Sequence, residues 1–118
     1  MHKLVNSLQE VIALSGLKDG MTVSFHHHLR NGDFVLNMVM EEIAALGIRD
    51  LTVNASSMFD VHARIVEHIE NHVVTCLQTD YMTAALGRQI SRGILEKPVQ
   101  FRTHGGRPSD IALGRTPI

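Results

Sequence analysis

Residues 21–54 read MTVSFHHHLRNGDFVLNMVMEEIAALGIRDLTVN and hold a strand, a helix and a second strand in that order. The strands are predicted at 21–26 and 51–54. Between them, residues 35–46 carry apolar side chains at the spacing of one helical face, and Gly47 is a usual stop for such a helix. Parallel strands need a crossover of about a dozen residues, so this stretch predicts a βαβ unit.

The same alternation continues on both sides of this unit. The apolar residues among 4–12 have the spacing of an amphipathic helix. Polar residues separate them at every turn, so this segment lacks the continuous apolar run of an export signal. Asp60 is a natural N-cap for a helix with Val61 on its inward face, and Pro108 opens a last short helix. The remaining predicted elements are a helix over 61–70, a strand at 73–77, a helix over 82–94 and a strand at 99–103.

Alternating strands and helices predict an α/β fold in three layers, α/β/α, with a mainly parallel sheet covered by helices on both faces. At 118 residues the chain has the size of one domain, and we expect residues 1–118 to form a single but incomplete domain of four βα units. Hydrophobic residues make up 44%, which is enough apolar side chain to build a core and argues against disorder.

Charge and cysteine content narrow the class of protein. A net charge of −1 without blocks of like charge removes the electrostatic case for a nucleic-acid partner or a membrane surface. No window has the roughly 20 apolar residues that a membrane span requires. The single cysteine, Cys76, is expected to be a buried strand residue and indicates a reducing, cytoplasmic location. A mean hydropathy of +0.04 is high for a soluble monomer.

Unusual polar residues gather in the loops that follow the predicted strands. In an open parallel sheet, ligands bind outside the carboxyl ends of the strands, so the chemistry is expected there. These loops are residues 26–33, 55–60, 78–81 and 103–108.

The fourth of these loops joins a strand to a helix through Gly105, Gly106, Arg107 and Pro108. This pattern aims backbone N–H groups at an anion, and an arginine there can hold a carboxylate or a phosphate. A glycine-rich turn that caps a helix beside a solvated arginine explains the same residues.

The histidine triplet in the first loop has three interpretations. If the strand continues, alternation puts His26 and His28 on one face and His27 on the other. In the first interpretation, His26 and His28 are a pair of metal ligands. A hydrogen-bonding wall for an anionic substrate, with His104 opposite, is the second, and Arg30 and Asp33 beside the triplet favour it. Structural histidines are the third. We expect no metal site.

Several other polar residues have ordinary structural explanations. Asp33 suits an N-cap for the helix that starts near residue 34, and Ser56 and Ser57 suit a turn before the next helix. His68 and His72 are four residues apart on a helix and are expected to be solvated.

Five stretches of this sequence resemble the alpha subunit of citrate lyase, in its N-terminal portion. They are residues 16–28, 30–33, 35–40, 91–99 and 101–108. The resemblance implies a citrate:acyl-carrier-protein transferase related to family I coenzyme A transferases, with their NagB/RpiA-like α/β/α fold. Such a subunit exchanges the acetyl group on the lyase acyl carrier protein for citrate, and a separate lyase subunit cleaves the citryl thioester.

The resemblance also implies which residues bind the substrate and its thioester. It makes the first and fourth strands neighbours, at a reversal of strand order, so that both long motifs face one crevice. The candidate substrate- and thioester-binding residues are His26, His27, His28, Arg30, Asn31, Gly32, Asp33, Ser56, Ser57, His104, Gly105, Gly106 and Arg107.

Catalysis in this family uses a glutamate in a second, similar domain, which forms an acyl anhydride. The glutamates of this chain are all expected in helical or helix-end positions, so no catalytic residue is assigned and the chain is expected to be inactive alone. No bound cofactor is expected. The prosthetic group of the acyl carrier protein or a coenzyme A thioester would be substrate, and Mg²⁺ would act only at the level of the complex.

The implied partners are citrate or a related carboxylate, the acyl carrier protein, the lyase subunits and further copies of the same chain. Two other functions stay open. One is a non-catalytic binding or assembly domain for a small anion such as a carboxylate, a phosphate or coenzyme A. The other is a sugar-phosphate isomerase relative of the same fold, which would need an acid/base pair that the sequence does not display.

Overall fold

Strands and helices alternate along the whole described chain. The computed structural model describes residues 4–27, 29 and 31–118. Its elements are α1 (Leu8–Ser15), β1 (Thr22–Phe25), α2 (Val35–Ala45), β2 (Leu51–Ala55), a 3₁₀ turn (Asp60–His62), α3 (Ile65–Glu70), β3 (Val74–Thr79), α4 (Ala84–Ile90), β4 (Gln100–Phe101) and α5 (Gly106–Ala112). The α/β class and the positions of the four predicted strands are confirmed.

Short polar residues fix the ends of the first two helices. The Ser7 hydroxyl accepts a hydrogen bond from the Glu10 N–H at the start of α1, and Gly16 ends that helix in the left-handed region at φ +75°. Asp33 supports the start of α2, because its Oδ1 accepts from the Val35 N–H at 2.9 Å. It does so from the position before the N-cap, which is Phe34.

The four strands are parallel and lie in the order β1-β2-β3-β4. The prediction that the first and fourth strands are neighbours is therefore wrong for this chain. Each crossover contains little more than one helix and steps to the adjacent position in the same direction, so the strand order does not reverse. β1 and β4 form the two edges of the described sheet, three strand spacings or about 14 Å apart.

The two faces of the sheet differ in chemistry. Val23, Val53 and Leu77 are partners in register on one face, where they pack in a core with residues of α2, α3 and α4. The best buried members of that core on the helices are Leu36, Met40, Ile43, Ile65, Ile69 and Leu86. The next register position carries polar residues on the opposite face, and α5 contacts that face through Arg107.

Two details of the third helix differ from the sequence prediction. The chain makes a 3₁₀ turn at Asp60–His62 before α3 begins at Ile65, which leaves Val61 exposed instead of inward. His68, which was expected to be solvated, is buried, because it shares the inward stripe of α3 with Ile65 and Ile69. His72, past the end of the helix, is exposed as predicted.

Cys76 is buried in β3 as predicted. Among the helices that the structure describes, none combines the length and the hydropathy needed to cross a bilayer.

Candidate functional site

A row of hydrogen-bonded side chains crosses the polar face of the sheet. The row consists of Ser24, Asn54, Gln78 and Gln100, one from each strand and all partners in register. The Asn54 amide donates to Gln78 Oε1 at 2.9 Å, and the Gln78 amide donates to Gln100 Oε1 at 2.8 Å. Ser24 Oγ donates to Asn54 Oδ1 at 3.2 Å. We call this set the polar row.

Arg107 closes the β1 end of the polar row. Its Nη1 donates to Ser24 Oγ at 3.2 Å and to Asn54 Oδ1, and its Nη2 donates to His26 Nδ1 at 3.1 Å. Because arginine only donates, His26 Nδ1 must be the acceptor and carries no proton. The side chain thus links α5 to the first two strands, although β1 and β4 are not neighbours.

The Arg107 guanidinium is a buried charge. The residue is only 5% exposed, and its Nε has no hydrogen-bond acceptor among the described residues. No carboxylate of the described chain lies within ion-pair distance of it. Burial lowers the pKa of Arg107, and the negative charge of Asp80 partly offsets this. A guanidinium stays charged even so, which favours an anion in contact with it.

Gly105 and Gly106, which precede Arg107, lie where the backbone turns from β4 into α5. A Cβ on Gly106 would lie 2.7 Å from Thr103 Oγ1, so only glycine fits without displacing that hydroxyl. Thr103 also takes the first backbone donors of α5, because its Oγ1 accepts from the Gly106 N–H and its carbonyl accepts from the Arg107 N–H. The N–H groups predicted to face an anion are thus bonded within the loop, whereas Gly105 has open space around it.

Asp80 and His104 lie beside Arg107. His104 Nδ1 is 2.7 Å from Asp80 Oδ2, and the Ser57 hydroxyl donates to Asp80 Oδ1 at 3.0 Å. The ring centroids of His104 and His26 are 5.7 Å apart. We call Arg107, His26, His104 and Asp80 the Arg107 cluster. It combines a buried cation, two imidazoles and one carboxylate at the carboxyl edge of the sheet.

The His27 side chain is buried and is not part of the Arg107 cluster. Its side chain is 3% exposed and its ring stacks on His62 with centroids 4.7 Å apart. His27 Nδ1 lies 3.3 Å from Asp33 Oδ2, while its Nε2 is buried without a described partner. Its backbone N–H donates to Ser56 Oγ at 2.9 Å, so Ser56 holds the first loop. We call His27 and His62 the buried histidine pair.

Hydrogen bonds fix His62 as a neutral ring. The Phe59 N–H donates to Nδ1 at 3.0 Å, so the ring proton is on Nε2, which donates to the Asp33 carbonyl at 2.9 Å. Burial lowers the pKa of His62, and the bond to the Asp33 carbonyl partly offsets this. The Val35 N–H and then His27 lower the pKa of Asp33 against the opposing effect of burial. Gly32 packs against the ring at φ +82°.

The predicted site residues therefore fall into separate groups. His26, His104 and Arg107 come together, with Ser57 attached through Asp80. His27, Gly32 and Asp33 surround His62 instead, and Asn31 lies in the exposed turn before them at φ +66°.

The predicted residues His28 and Arg30 lie outside the described part of the chain. Within the described part, no group of three metal-ligating side chains is close enough to hold an ion.

Six residues of the polar row, the Arg107 cluster and the buried histidine pair were absent from the predicted site, namely Ser24, Asn54, Gln78, Gln100, Asp80 and His62. A signal was present for Ser24 and Asn54, because a polar side chain recurs at every second position of strands that were predicted to be covered on both faces. Asp80 follows the third strand directly, in a loop already expected to carry chemistry. Nothing in the local sequence distinguishes His62.

The fold and the Arg107 cluster together define a parallel α/β protein with a cationic, histidine-lined site at the carboxyl edge of its sheet. Comparison with known proteins identifies the family. The model for "Citrate lyase, alpha subunit (CitF)" matches residues 1–118, and the chain belongs to this family.

Curated relatives and a solved structure agree with this membership. The chain is 53% identical to the citrate lyase alpha chain of Haemophilus influenzae and 52% identical to that of Escherichia coli, over 99% of its length in both comparisons. It spans 23% of the length of these relatives. A crystal structure assigned to the alpha subunit of citrate lyase from Streptococcus mutans, in complex with citrate, matches 92% of this chain with a TM-score of 0.88 and 49% identity. The chain covers 21% of that structure.

Proposed function

We propose that this chain binds citrate at the Arg107 cluster and supplies substrate-recognition loops to a citrate lyase alpha-type transferase. The observation that carries the proposal is the buried guanidinium of Arg107, which has no carboxylate partner in the described chain. A carboxylate of citrate would supply the missing negative charge. The citrate complex of the Streptococcus mutans relative supports the choice of ligand.

The histidines of the cluster suit a ligand with several carboxylates. Arg107 fixes the ring of His26 through Nη2, and Asp80 fixes that of His104 through Nδ1, so both imidazoles are held beside the cation before any ligand arrives. Preorganised donors lose little conformational entropy when they bind. The reaction we propose for the longer assembly is the exchange of acetyl for citrate on the thioester of an acyl carrier protein.

We propose that the chain alone does not carry out this exchange, because the reaction needs a carboxylate nucleophile. The described glutamates that have partners are engaged elsewhere: Glu10 accepts from the Asn6 N–H, Glu41 and Glu67 pair with Arg64, and Glu96 pairs with His72. An assay with citrate and an acetyl thioester donor tests this. Turnover by this chain alone would overturn the proposed inactivity.

Calorimetry with citrate tests the binding site. Arg107→Gln removes the charge, and we expect citrate affinity to fall at least about tenfold, since a charge-assisted hydrogen bond is lost. Arg107→Lys keeps the charge but not the fork of donors, so it should lose less. Arg88→Gln, an exposed arginine on α4, is the matched control and should bind as the unaltered chain does. Equal affinities in Arg107→Gln and the control would contradict the proposal.

A second candidate function rests on the same observation. A buried guanidinium serves any small anion, so the chain would then be a non-catalytic binding or assembly domain. Titration with acetate, inorganic phosphate and coenzyme A separates the two functions. A strong preference for citrate supports the transferase assignment, whereas equal binding of phosphate or coenzyme A supports the second candidate.

We also propose that the chain associates with further copies of itself. The outer edge of β1 is unpaired within the described sheet, and a groove of about 700 Å³ runs beside it. Most of its lining is apolar, including Val11, Val23 and Val39. An open edge next to an apolar groove favours association. Light scattering that finds a stable monomer at high concentration would count against this.

A further inference from the structure

Asp80 holds two partners at once at the carboxyl end of β3. Its Oδ1 accepts from the Ser57 hydroxyl at 3.0 Å, and its Oδ2 lies 2.7 Å from His104 Nδ1. The Asp80 side chain is only 7% exposed, whereas that of His104 is 75% exposed. The carboxylate is thus fixed from two sides and buried behind an imidazole that faces solvent.

This geometry determines which nitrogen of His104 carries the proton. A carboxylate only accepts hydrogen bonds, so the proton must be on Nδ1. Nε2, on the far side of the ring from Asp80, is then the atom that a ligand meets. The other charged or titratable groups that face His104 are His26, at 5.7 Å between ring centroids, and Arg107, which holds His26.

We propose that Asp80 is a positioning residue that acts through His104 on a carboxylate ligand. Asp80 orients the ring so that Nε2 faces the bound carboxylate, and in the complex the protonated ring keeps its Nε2 proton and donates a hydrogen bond through it to that ligand. The imidazolium then lies between two negative charges, Asp80 behind it and the ligand in front. Arg107 and His104 would thus contact different carboxylates of one tricarboxylate ligand. The inference rests on the proposed binding of citrate.

Nitrogen NMR of the histidine rings tests the positioning directly and needs no ligand. The signals of His104 are identified by their absence in His104→Ala. In the unaltered chain we expect the proton on Nδ1. In Asp80→Asn the side-chain amide both donates and accepts, so the requirement for a donor at Nδ1 is lost and a mixture of tautomers is expected. The same tautomer in both proteins would overturn the inference.

Asp60→Asn is the matched control for this substitution. Asp60 begins the 3₁₀ turn after β2 and accepts from the Thr83 hydroxyl at 2.6 Å. In the described structure it forms no hydrogen bond or ion pair with Asp80, His104 or Arg107. It should leave the His104 tautomer unchanged. A change in this control equal to that in Asp80→Asn would show a general disturbance and would also overturn the inference.

Citrate calorimetry then tests whether Asp80 acts through His104. Asp80→Asn and His104→Ala should each lower citrate affinity about tenfold, and the double variant should lose no more than either single one. With citrate bound, NMR should show both ring nitrogens of His104 protonated. Additive losses, or a ring that stays neutral with citrate bound, would contradict the inference. If the unaltered chain binds no citrate, the proposed function fails, and the tautomer experiment alone decides the role of Asp80.

Discussion

His26 and His27 are adjacent in the chain and lie in opposite environments. His26 is exposed and accepts a hydrogen bond from a buried cation, whereas His27 is sealed against a second imidazole. Hydrogen bonds to Ser56 continue past the end of β1, since the Ser56 N–H donates to the Phe25 carbonyl and the His27 N–H donates to Ser56 Oγ. Successive side chains along a strand point to opposite sides of the sheet. One histidine therefore belongs to the Arg107 cluster and the next to the buried histidine pair. Backbone alternation alone therefore gives two neighbouring histidines different roles, one at the candidate binding site and one in the folded interior.

We expect the largest loss of folding stability when the buried histidine pair is disrupted. His62→Ala removes a fully buried ring, two hydrogen bonds and the stack on His27. We expect the free energy of unfolding to fall by about 3 kcal/mol, as for a large buried side chain. Chemical denaturation measures this loss.

The control for that substitution is His72→Ala, which truncates an exposed histidine and should change the free energy of unfolding by no more than about 0.5 kcal/mol. If the two variants lose the same stability, the buried histidine pair does not stabilise the fold. His27 would then not differ from His26 in having a role in folding.

Substitution of Gly32 should lower the free energy of unfolding by a smaller amount. A Cβ there would lie 2.7 Å from His62 Cε1 and 2.9 Å from Phe59 Cδ2, and the backbone is at φ +82°. Gly32→Ala should therefore cost about 2 kcal/mol, of which about 1 kcal/mol is the left-handed conformation itself. Thermal and chemical denaturation measure this cost.

Gly16→Ala isolates the backbone contribution, because Gly16 has φ +75° and nothing within 4 Å of a Cβ. It should lose only about 1 kcal/mol. A loss at Gly32 no greater than that at Gly16 would mean that the loop gives way easily and does not clamp His62.

The smallest effect is a dependence of stability on pH. Burial lowers the pKa of both His62 and His68 below the ordinary histidine value of about 6.5, so the folded protein keeps these rings neutral. Their contribution to stability is complete above pH 6.5 and is lost as the pH falls below that value through the folded pKa. The free energy of unfolding should thus be lower at acidic pH than at neutral pH.

His62→Ala should reduce this drop, while His72→Ala should retain it. Denaturation curves at several pH values provide the measurement. A drop of the same size in all three proteins would assign the acid sensitivity to other groups.

Most of the fold follows from the sequence, because hydrophobic periodicity and glycine stops mark each element. The residues at 35–45 and 51–55 show this well, with helix and strand bounds predicted to within one residue. The strand order does not follow, since it depends on the direction in which each crossover turns. It was inferred from a family resemblance, and the described chain contains no reversal.

The candidate site was predictable in outline but not in its connections. Alternation separated His26 from His27, yet only the structure shows that α5 contacts the polar face through Arg107 and that this side chain reaches β1. His62 was missed because its burial depends on a 3₁₀ turn that replaced the predicted start of a helix. Asp80 was missed because its role depends on a partner 24 residues further along the chain.

The polar row has a direction. Asn54 and Gln78 each turn their oxygen toward the β1 side and their NH₂ group toward β4. The cause is Arg107, which only donates: it donates to Asn54 Oδ1 directly and to Ser24 Oγ, whose own proton then goes to Asn54 Oδ1. Each amide then dictates the orientation of the next, as far as the exposed Gln100 on the opposite edge strand. The side-chain dipoles therefore add across the sheet, and the donors of a single arginine set which way the surface amide of Gln100 faces, two strands beyond Asn54.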